Sequence, residues 1–347
     1  MLPLPRLHAL STAVPEHRLT QADVVRLVKI HAPRFGVNIE PMLPVYSNAG
    51  IECRYSCVPA EWYLEQHGWA ERNRLFVRNA VNLLERAARD AMERAGVGAD
   101  DIGAVVAVST TGIATPSLDA LIMERLELRR DTVRLPVFGL GCAGGALGLA
   151  RAAALAPTIP DKKVLFLVVE LCALTFRLSD MSKSNTVATA LFGDGAAAAI
   201  LGCDGSGPAV GPSGEHTWPN SLDIMGWRVE DDGFGVLFSR EIPAFVRSEY
   251  RAASDAFLAA NGVGLDDIDA LVCHPGGAKV IDALENAYEL PSGHMVHARS
   301  VLRDYGNMSA PTVLFVLQRT LEAGSSGRHL VSALGPGFTA GFLMLDA

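Results

Sequence analysis

From Arg72 to Ala95, apolar residues return every three or four positions (Phe76, Val77, Ala80, Leu83, Leu84, Ala87, Ala91), which predicts one long amphipathic helix stopped by Gly96. A shorter helix is predicted from Thr20 to His31, capped by Thr20 and faced by Val24, Val25, Leu27 and Val28. Elsewhere the pattern changes to short, nearly unbroken apolar blocks at 104–108, 132–138, 164–169 and 196–201, then at 269–273, 328–333 and 338–345. Blocks like 164–169 suit strands buried on both faces. Helical patterns lie between them, near 118–126, 145–155, 250–260, 277–288 and 307–323. Residues 32–60 read as an irregular surface excursion, and further strands are expected around Trp227-Arg228-Val229. Strands alternating with helices over short connections predict an α/β protein with a mixed or parallel sheet covered by helices.

The pattern also repeats itself. Gly96-Val97-Gly98-Ala99-Asp100-Asp101-Ile102 matches Gly262-Val263-Gly264-Leu265-Asp266-Asp267-Ile268, and each copy leads from a helical run into a strand. At nearly the same offset further on, Gly141-Cys142 falls over Gly306-Asn307. Two matches in nearly one register indicate a duplicated α/β unit. The linker-like stretch Asp204-Gly205-Ser206-Gly207-Pro208 separates the halves, giving 1–203 and 204–347, with one composite site between them.

Composition narrows the class. The chain of 347 residues is 49% hydrophobic and 20% charged, with a mean hydropathy of +0.23, enough for a large core. One of the most aliphatic blocks, Val164 to Val169, meets Glu170 long before it could span a bilayer, so no membrane span is expected. The N-terminal stretch lacks a signal-peptide pattern, and a soluble, cytoplasmic protein is expected. A net charge of −8 without a basic cluster argues against nucleic acid as a partner. The six cysteines are scattered. Cys53 and Cys57 lack a second Cys/His pair, so no metal site is expected and all six are taken as thiols.

Three residues stand out chemically. Cys142 follows a strand and a Gly-rich turn and precedes a long helix, where free backbone N–H groups and the helix dipole favour a thiolate. The same position also suits a small buried thiol at a helix-packing site. His274, in Val272-Cys273-His274-Pro275-Gly276-Gly277, ends a buried strand, where α/β proteins bind ligands. It equally suits a histidine bonded to a loop carbonyl. Asn307, in Tyr305-Gly306-Asn307-Met308-Ser309, can act as a helix cap, yet it superposes on Cys142 in the repeat. A Cys, a His and an Asn at such positions form a coherent set for acyl transfer.

At these residues the chain resembles the chalcone synthase-like, or type III, polyketide synthases. The resemblance runs through Gly141-Cys142-Ala143-Gly144-Gly145, Leu191-Phe192-Gly193-Asp194-Gly195-Ala196, His274-Pro275-Gly276-Gly277, Tyr305-Gly306-Asn307-Met308-Ser309 and Gly335-Pro336-Gly337-Phe338-Thr339, in that order over most of the chain. It implies a duplicated thiolase-like fold layered α-β-α-β-α, a homodimer, and coenzyme A thioesters (acyl-CoA and malonyl-CoA) as substrates, with no bound cofactor. Cys142 would carry the starter acyl group as a thioester. His274 and Asn307 would hold the malonyl thioester oxygen, and His274 would keep Cys142 as a thiolate. Phe192 matches a gatekeeper aromatic, and either Val236 or Phe238 fits the second. Thr111, Thr115, Cys172, Thr175 and Ser309 fall on cavity-lining positions, with Thr115 small enough to open a channel for a long acyl starter. Of the basic residues that meet coenzyme A phosphates, Arg54 is present, while 48–52 holds neither lysine nor arginine. Val169-Glu170-Leu171-Cys172 is more like bacterial members that make alkylpyrones, alkylresorcinols or tetrahydroxynaphthalene. Ketoacyl synthases share the three residues but typically follow the histidine with Gln-Ala-Asn. Two rival readings accompany this one: a ketoacyl synthase-like enzyme making one condensation, and a catalytically silent scaffold subunit, against which the intact trio speaks.

Overall fold

The computed structural model describes residues 3–177, 180 and 182–347. In the first half the strands are β1 (Arg6–Ala13), β2 (His17–Thr20), β3 (Cys53–Ser56), β4 (Ile102–Val108), β5 (Val133–Val137), β6 (Lys163–Leu171) and β7 (Asp194–Gly202). In the second they are β8 (Ala209–Thr217), β9 (Met225–Glu230), β10 (Gly233–Phe238), β11 (Ala270–Cys273), β12 (Arg328–Gly335) and β13 (Thr339–Asp346). The helices are α1 (Gln21–His31), α2 (Leu43–Ser47), α3 (Trp69–Ala95), α4 (Leu118–Arg125), α5 (Gly144–Leu155) and α6 (Lys183–Leu191). They continue with α7 (Ile242–Phe245), α8 (Arg251–Ala260), α9 (Ala278–Ala287), α10 (Val296–Tyr305) and α11 (Thr312–Glu322). Among the described residues no helix is long and apolar enough to cross a membrane.

Nine strands join in the order β11-β12-β13-β8-β1-β7-β6-β4-β5. Read outward from the β1–β8 contact, the two sides are copies. β1-β7-β6-β4 and β8-β13-β12-β11 each run antiparallel, antiparallel, then parallel. The sequence repeat lies inside this symmetry. Gly96 and Gly262 end their helices with φ of 64° and 69°, a left-handed conformation that glycine adopts without a Cβ clash. Asp101 then accepts from the N–H of Gly98 at 2.7 Å, and Asp267 from that of Gly264 at 2.8 Å. The same turn is built twice from the same residues.

Alternation along the buried strands produces the layers. Val105, Ala107, Leu165, Leu167 and Val169 pack toward α3 and α4, while Val106, Val108, Phe166 and Val168 pack toward α5 and the second half. α5 touches strands of both halves, as does α11, so this pair fills the space between the two sheet portions. The outcome is the α-β-α-β-α layering that the resemblance implied. Close approach of the two central helices requires Gly145, where a Cβ would stand 2.2 Å from the carbonyl oxygen of Ala310.

Two expectations need correction, and one helix has no counterpart among them. Residues 32–60 are not a plain surface excursion: β3 pairs with β2, and Tyr46, Arg54 and Ser56 are buried. The helix expected from 307 begins at Thr312, because 307–311 form a turn in which Ser309 takes φ 56°. α10 lacked any expectation, although Ala298, Val301 and Leu302 give it a buried stripe.

Candidate active site

Cys142 sits in a short 3-10 turn (Gly141–Ala143) that runs into α5. The loop after β12 presses on this turn from above. A Cβ on Gly141, which has φ 47°, would lie 2.4 Å from Pro336, so the position admits only glycine. His274 follows β11, its backbone N–H donating to the carbonyl of Ser332 at 2.8 Å. Asn307 opens the tight turn before α11. Its backbone N–H donates to the carbonyl of Leu191, and its own carbonyl accepts from Gly193 at 3.0 Å, which fastens Phe192 beside it. All three side chains line one enclosed chamber, bounded by Met225, Phe238 and Tyr250. The end of β11 and the two helix-opening turns thus converge, as the repeat suggested.

The polar atoms here are tightly assigned. Asn307 Oδ1 accepts from the N–H of Ser309 at 2.7 Å, and Nδ2 donates to the carbonyl of Gly276 at 3.1 Å. That leaves the second Nδ2 hydrogen for the chamber. The amide also interacts with the Cys142 thiol, which donates in addition to Ser309 Oγ at 3.4 Å. Neither ring nitrogen of His274 has a hydrogen-bond partner, although both are buried. Burial pushes the Cys142 thiol up to about 11 and the His274 imidazole down to about 3, so desolvation alone favours the neutral pair.

Beneath Cys142 lies a residue that sequence reasoning passed over. Glu170 is fully buried, and its Oε2 accepts from the N–H groups of Thr110 (3.0 Å) and Thr111 (2.9 Å) and from the Thr111 hydroxyl (2.6 Å). Thr110 Oγ1 in turn accepts from the N–H of Gly141 at 3.1 Å, so the carboxylate braces the nucleophile turn through one threonine. Burial pushes its carboxyl up to about 7 in spite of these bonds. The signal was legible: a lone glutamate ending an apolar strand needs buried partners.

The other predicted residues divide. Phe192 lies against Trp227 edge to face, and Cys172 and Thr175 share a cavity with it. Ser309 reaches the thiol itself. Phe238 lines both the chamber and a wide outer mouth of about 720 Å³, whereas Val236 lines a polar recess beside Arg177, which places Phe238 at the junction. Thr111 is corrected: its hydroxyl donates to Glu170 and accepts from the N–H of Leu171, so it ties two strand ends together. Thr115 is exposed on the loop before α4.

Arg54 is corrected most sharply. It is 3% exposed, and its guanidinium donates to the carbonyls of Thr189 (2.8 Å), Ala190 (2.7 Å) and Phe192 (2.9 Å) and to Gln21. It caps the C-terminus of α6 rather than meeting a phosphate. The cations at the outer mouth are Lys183, Arg240 and Lys279. Arg54→Met therefore lowers stability by about 3–5 kcal/mol in denaturant titration, because several charge-assisted hydrogen bonds are lost together. The KM for malonyl-CoA stays within about twofold of the parent, a change well under 1.4 kcal/mol.

A layered, duplicated α/β fold with Cys, His and Asn gathered between its halves is the plan of a thiolase-like condensing enzyme. The family follows from comparison. Residues 63–205 match the N-terminal domain of chalcone and stilbene synthases, and residues 213–346 match the C-terminal domain. The chain belongs to this family, is a type III polyketide synthase, and is an acyltransferase of the decarboxylative condensing kind. A 1,3,6,8-tetrahydroxynaphthalene synthase of Streptomyces peucetius is 38% identical over 97% of this chain and 92% of its own length. A phloroglucinol synthase of Pseudomonas fluorescens is 29% identical, with 94% of each chain covered. The crystal structure of the Streptomyces coelicolor tetrahydroxynaphthalene synthase superposes with a TM-score of 0.93 at 28% identity, covering 98% of this chain and 99% of the other.

Proposed function

We propose that this synthase loads an acyl-CoA starter on Cys142, extends it with malonyl-CoA, and closes the product to a pyrone or a phenol of the alkylpyrone or alkylresorcinol kind. The observation that carries the reading is one chamber lined by Cys142, His274 and Asn307 that meets the wide mouth at Phe238, Gly276 and Val280. A thioester carbonyl entering there reaches all three groups. Lys183, Arg240 and Lys279 line that mouth, where coenzyme A phosphates would rest.

Loading begins with attack of the Cys142 sulfur on the starter carbonyl. The C–S bond to coenzyme A breaks, and the leaving thiolate takes the proton that His274 received from Cys142. Malonyl-CoA then loses its carboxylate as CO₂, and the bonding pair passes into an enolate. The imidazole N–H and the free Asn307 N–H face its oxygen, an oxyanion-hole role. The enolate carbon attacks the Cys142 thioester, the new C–C bond forms, and Cys142 leaves as thiolate.

The thiolate is the part of this scheme that burial opposes. The two ring nitrogens of His274 have no hydrogen-bond partner, so a proton passed from Cys142 to the imidazole gives the thiolate its counter-charge. A raised thiol pKa means that thiolate accumulates only as pH climbs toward it, and imidazolium pairing moves the transition down again. Iodoacetamide is thus expected to label native Cys142 readily near neutral pH. In His274→Gln the labelling rises only in alkaline solution, toward the value of about 11 set by burial. Coincident pH profiles for the two proteins would remove His274 from this role.

The sheet ends on β5, where Val133 and Leu135 are exposed and the chain leads on to the exposed Phe138. An apolar edge of this kind suits pairing with a second copy, and a homodimer is part of the proposal. The test of the whole reading is incubation with labelled malonyl-CoA and a panel of acyl-CoA starters, products read by mass spectrometry. Pyrones or phenols whose masses follow the starter support it. A single ketoacyl product from every starter would move the assignment to a one-condensation enzyme, and no new C–C bond would favour the scaffold reading.

A further inference from the structure

Two hydroxyls in the chamber wall have no part in the steps above. Tyr250 and Ser332 line the chamber together with Cys142, His274 and Asn307, and each is only 1% exposed. Tyr250 ends the short π-helical turn Val246–Tyr250 ahead of α8, and Ser332 lies in β12. Ser332 is also the neighbour of the histidine in the sheet. It pairs with Cys273, and its carbonyl accepts from the N–H of His274 at 2.8 Å. Met225, Ile242, Leu284 and Leu334 make the rest of this wall apolar. Polar groups buried in such a setting need partners.

Their hydrogens run in one direction. The Tyr250 hydroxyl donates to Ser332 Oγ at 2.6 Å, and the Ser332 hydroxyl donates to Cys273 Sγ at 3.3 Å. Behind them the Tyr288 hydroxyl donates to Tyr250 at 3.5 Å, and Ser254 bonds Tyr288 at 2.9 Å. A hydroxyl has one hydrogen and two acceptor lone pairs. With both hydrogens committed inside the wall, Tyr250 and Ser332 offer the chamber an acceptor. His274 needs one. Both its ring nitrogens are buried without a partner, and the nitrogen that takes the Cys142 proton must be bare, so the other carries the hydrogen of the neutral ring. Among the described residues no Asp, Glu, Lys or Arg lines the chamber; the titratable groups there besides His274 are Cys142 and Tyr250, with Cys273 behind Ser332. The chamber leaves about 20 Å³ free, room for one water molecule held by two or more polar groups.

We propose that Tyr250 and Ser332 are positioning residues for His274: through one water they accept the imidazole hydrogen that is not shared with Cys142. They thereby fix the tautomer whose bare nitrogen receives the thiol proton, and they hold the imidazolium once it has formed. Tyr250 acts by pinning the Ser332 hydrogen toward Cys273, so that a lone pair faces the chamber. The inference rests on the reading of His274 as proton acceptor from Cys142, and the test lets the two fail separately.

Iodoacetamide labelling of Cys142, read site by site by mass spectrometry, is followed from neutral to alkaline pH in five proteins: the parent, His274→Gln, Tyr250→Phe, Ser332→Ala and Ser254→Ala. Tyr250→Phe frees the Ser332 hydrogen to turn toward the chamber, and Ser332→Ala removes the acceptor outright. Both profiles are expected between those of the parent and His274→Gln, with neutral labelling about tenfold slower than in the parent, the loss of one hydrogen bond to a charged group. Ser332→Ala decides the matter if Tyr250→Phe does not fold. Ser254→Ala cuts the same chain of hydroxyls outside the chamber; it is expected to lower the melting temperature and keep the parent profile. Tyr250→Phe and Ser332→Ala profiles that coincide with the parent, while His274→Gln differs, overturn this inference alone. An equal displacement in Ser254→Ala also overturns it, because core packing would then be acting on His274. A His274→Gln profile that coincides with the parent overturns the reading of His274 and this inference with it.

Discussion

Cys142→Ala protein is expected to make no polyketide from any starter, a loss of about 10³-fold or more in condensation, while it still releases CO₂ from malonyl-CoA. The split follows from where the groups sit. Condensation needs a sulfur to hold the growing chain, and the thiol that shares a chamber with both His274 and Asn307 is Cys142. Cys172 and Cys273 are also buried, but neither lines that chamber. Decarboxylation needs a place for a developing oxyanion, which His274 and the Asn307 amide supply without any covalent bond. The measurement is paired: labelled CO₂ release and product mass from one incubation. Loss of both activities together would place Cys142 in the fold of the chamber rather than in the covalent step.

Much of this was legible because the chain repeats itself. A duplicated turn with the same aspartate hydrogen bond, followed by a helix opening on Cys142 in one copy and a turn on Asn307 in the other, fixes both residues relative to the symmetry axis before any coordinate is known. Short apolar blocks then declare strands buried on both faces, and the layers follow. What stayed hidden was side-chain direction. Arg54 falls, by the resemblance, where a cation meets coenzyme A phosphates, yet its strand pairs with β2 and turns it under α6, where three carbonyls take its hydrogens. Thr111 and Thr115 are four residues apart on one loop, but one is locked by Glu170 and the other meets solvent. The wide mouth could not be read at all, since Lys183, Arg240 and Lys279 come from three separate segments that only the fold assembles.

Asn307→Leu is expected to lower malonyl-CoA decarboxylation by about 10²–10³-fold, the cost of losing one preorganised oxyanion donor. The substitution also strands the N–H of Ser309 and the carbonyl of Gly276, each a buried group that loses a partner worth about 1–3 kcal/mol. A stability loss alone could therefore mimic a catalytic one, and Asn307→Asp separates them. The aspartate keeps an oxygen for the N–H of Ser309, so that bond survives while the carbonyl of Gly276 still loses its donor. It brings no hydrogen to the enolate, however, and its negative charge repels the oxyanion that the asparagine amide attracts. Decarboxylation should then fall at least as far in Asn307→Asp as in Asn307→Leu, although the aspartate protein melts closer to the parent. If activity instead tracks melting temperature across the pair, Asn307 holds the turn before α11 and the oxyanion must be met by His274 alone.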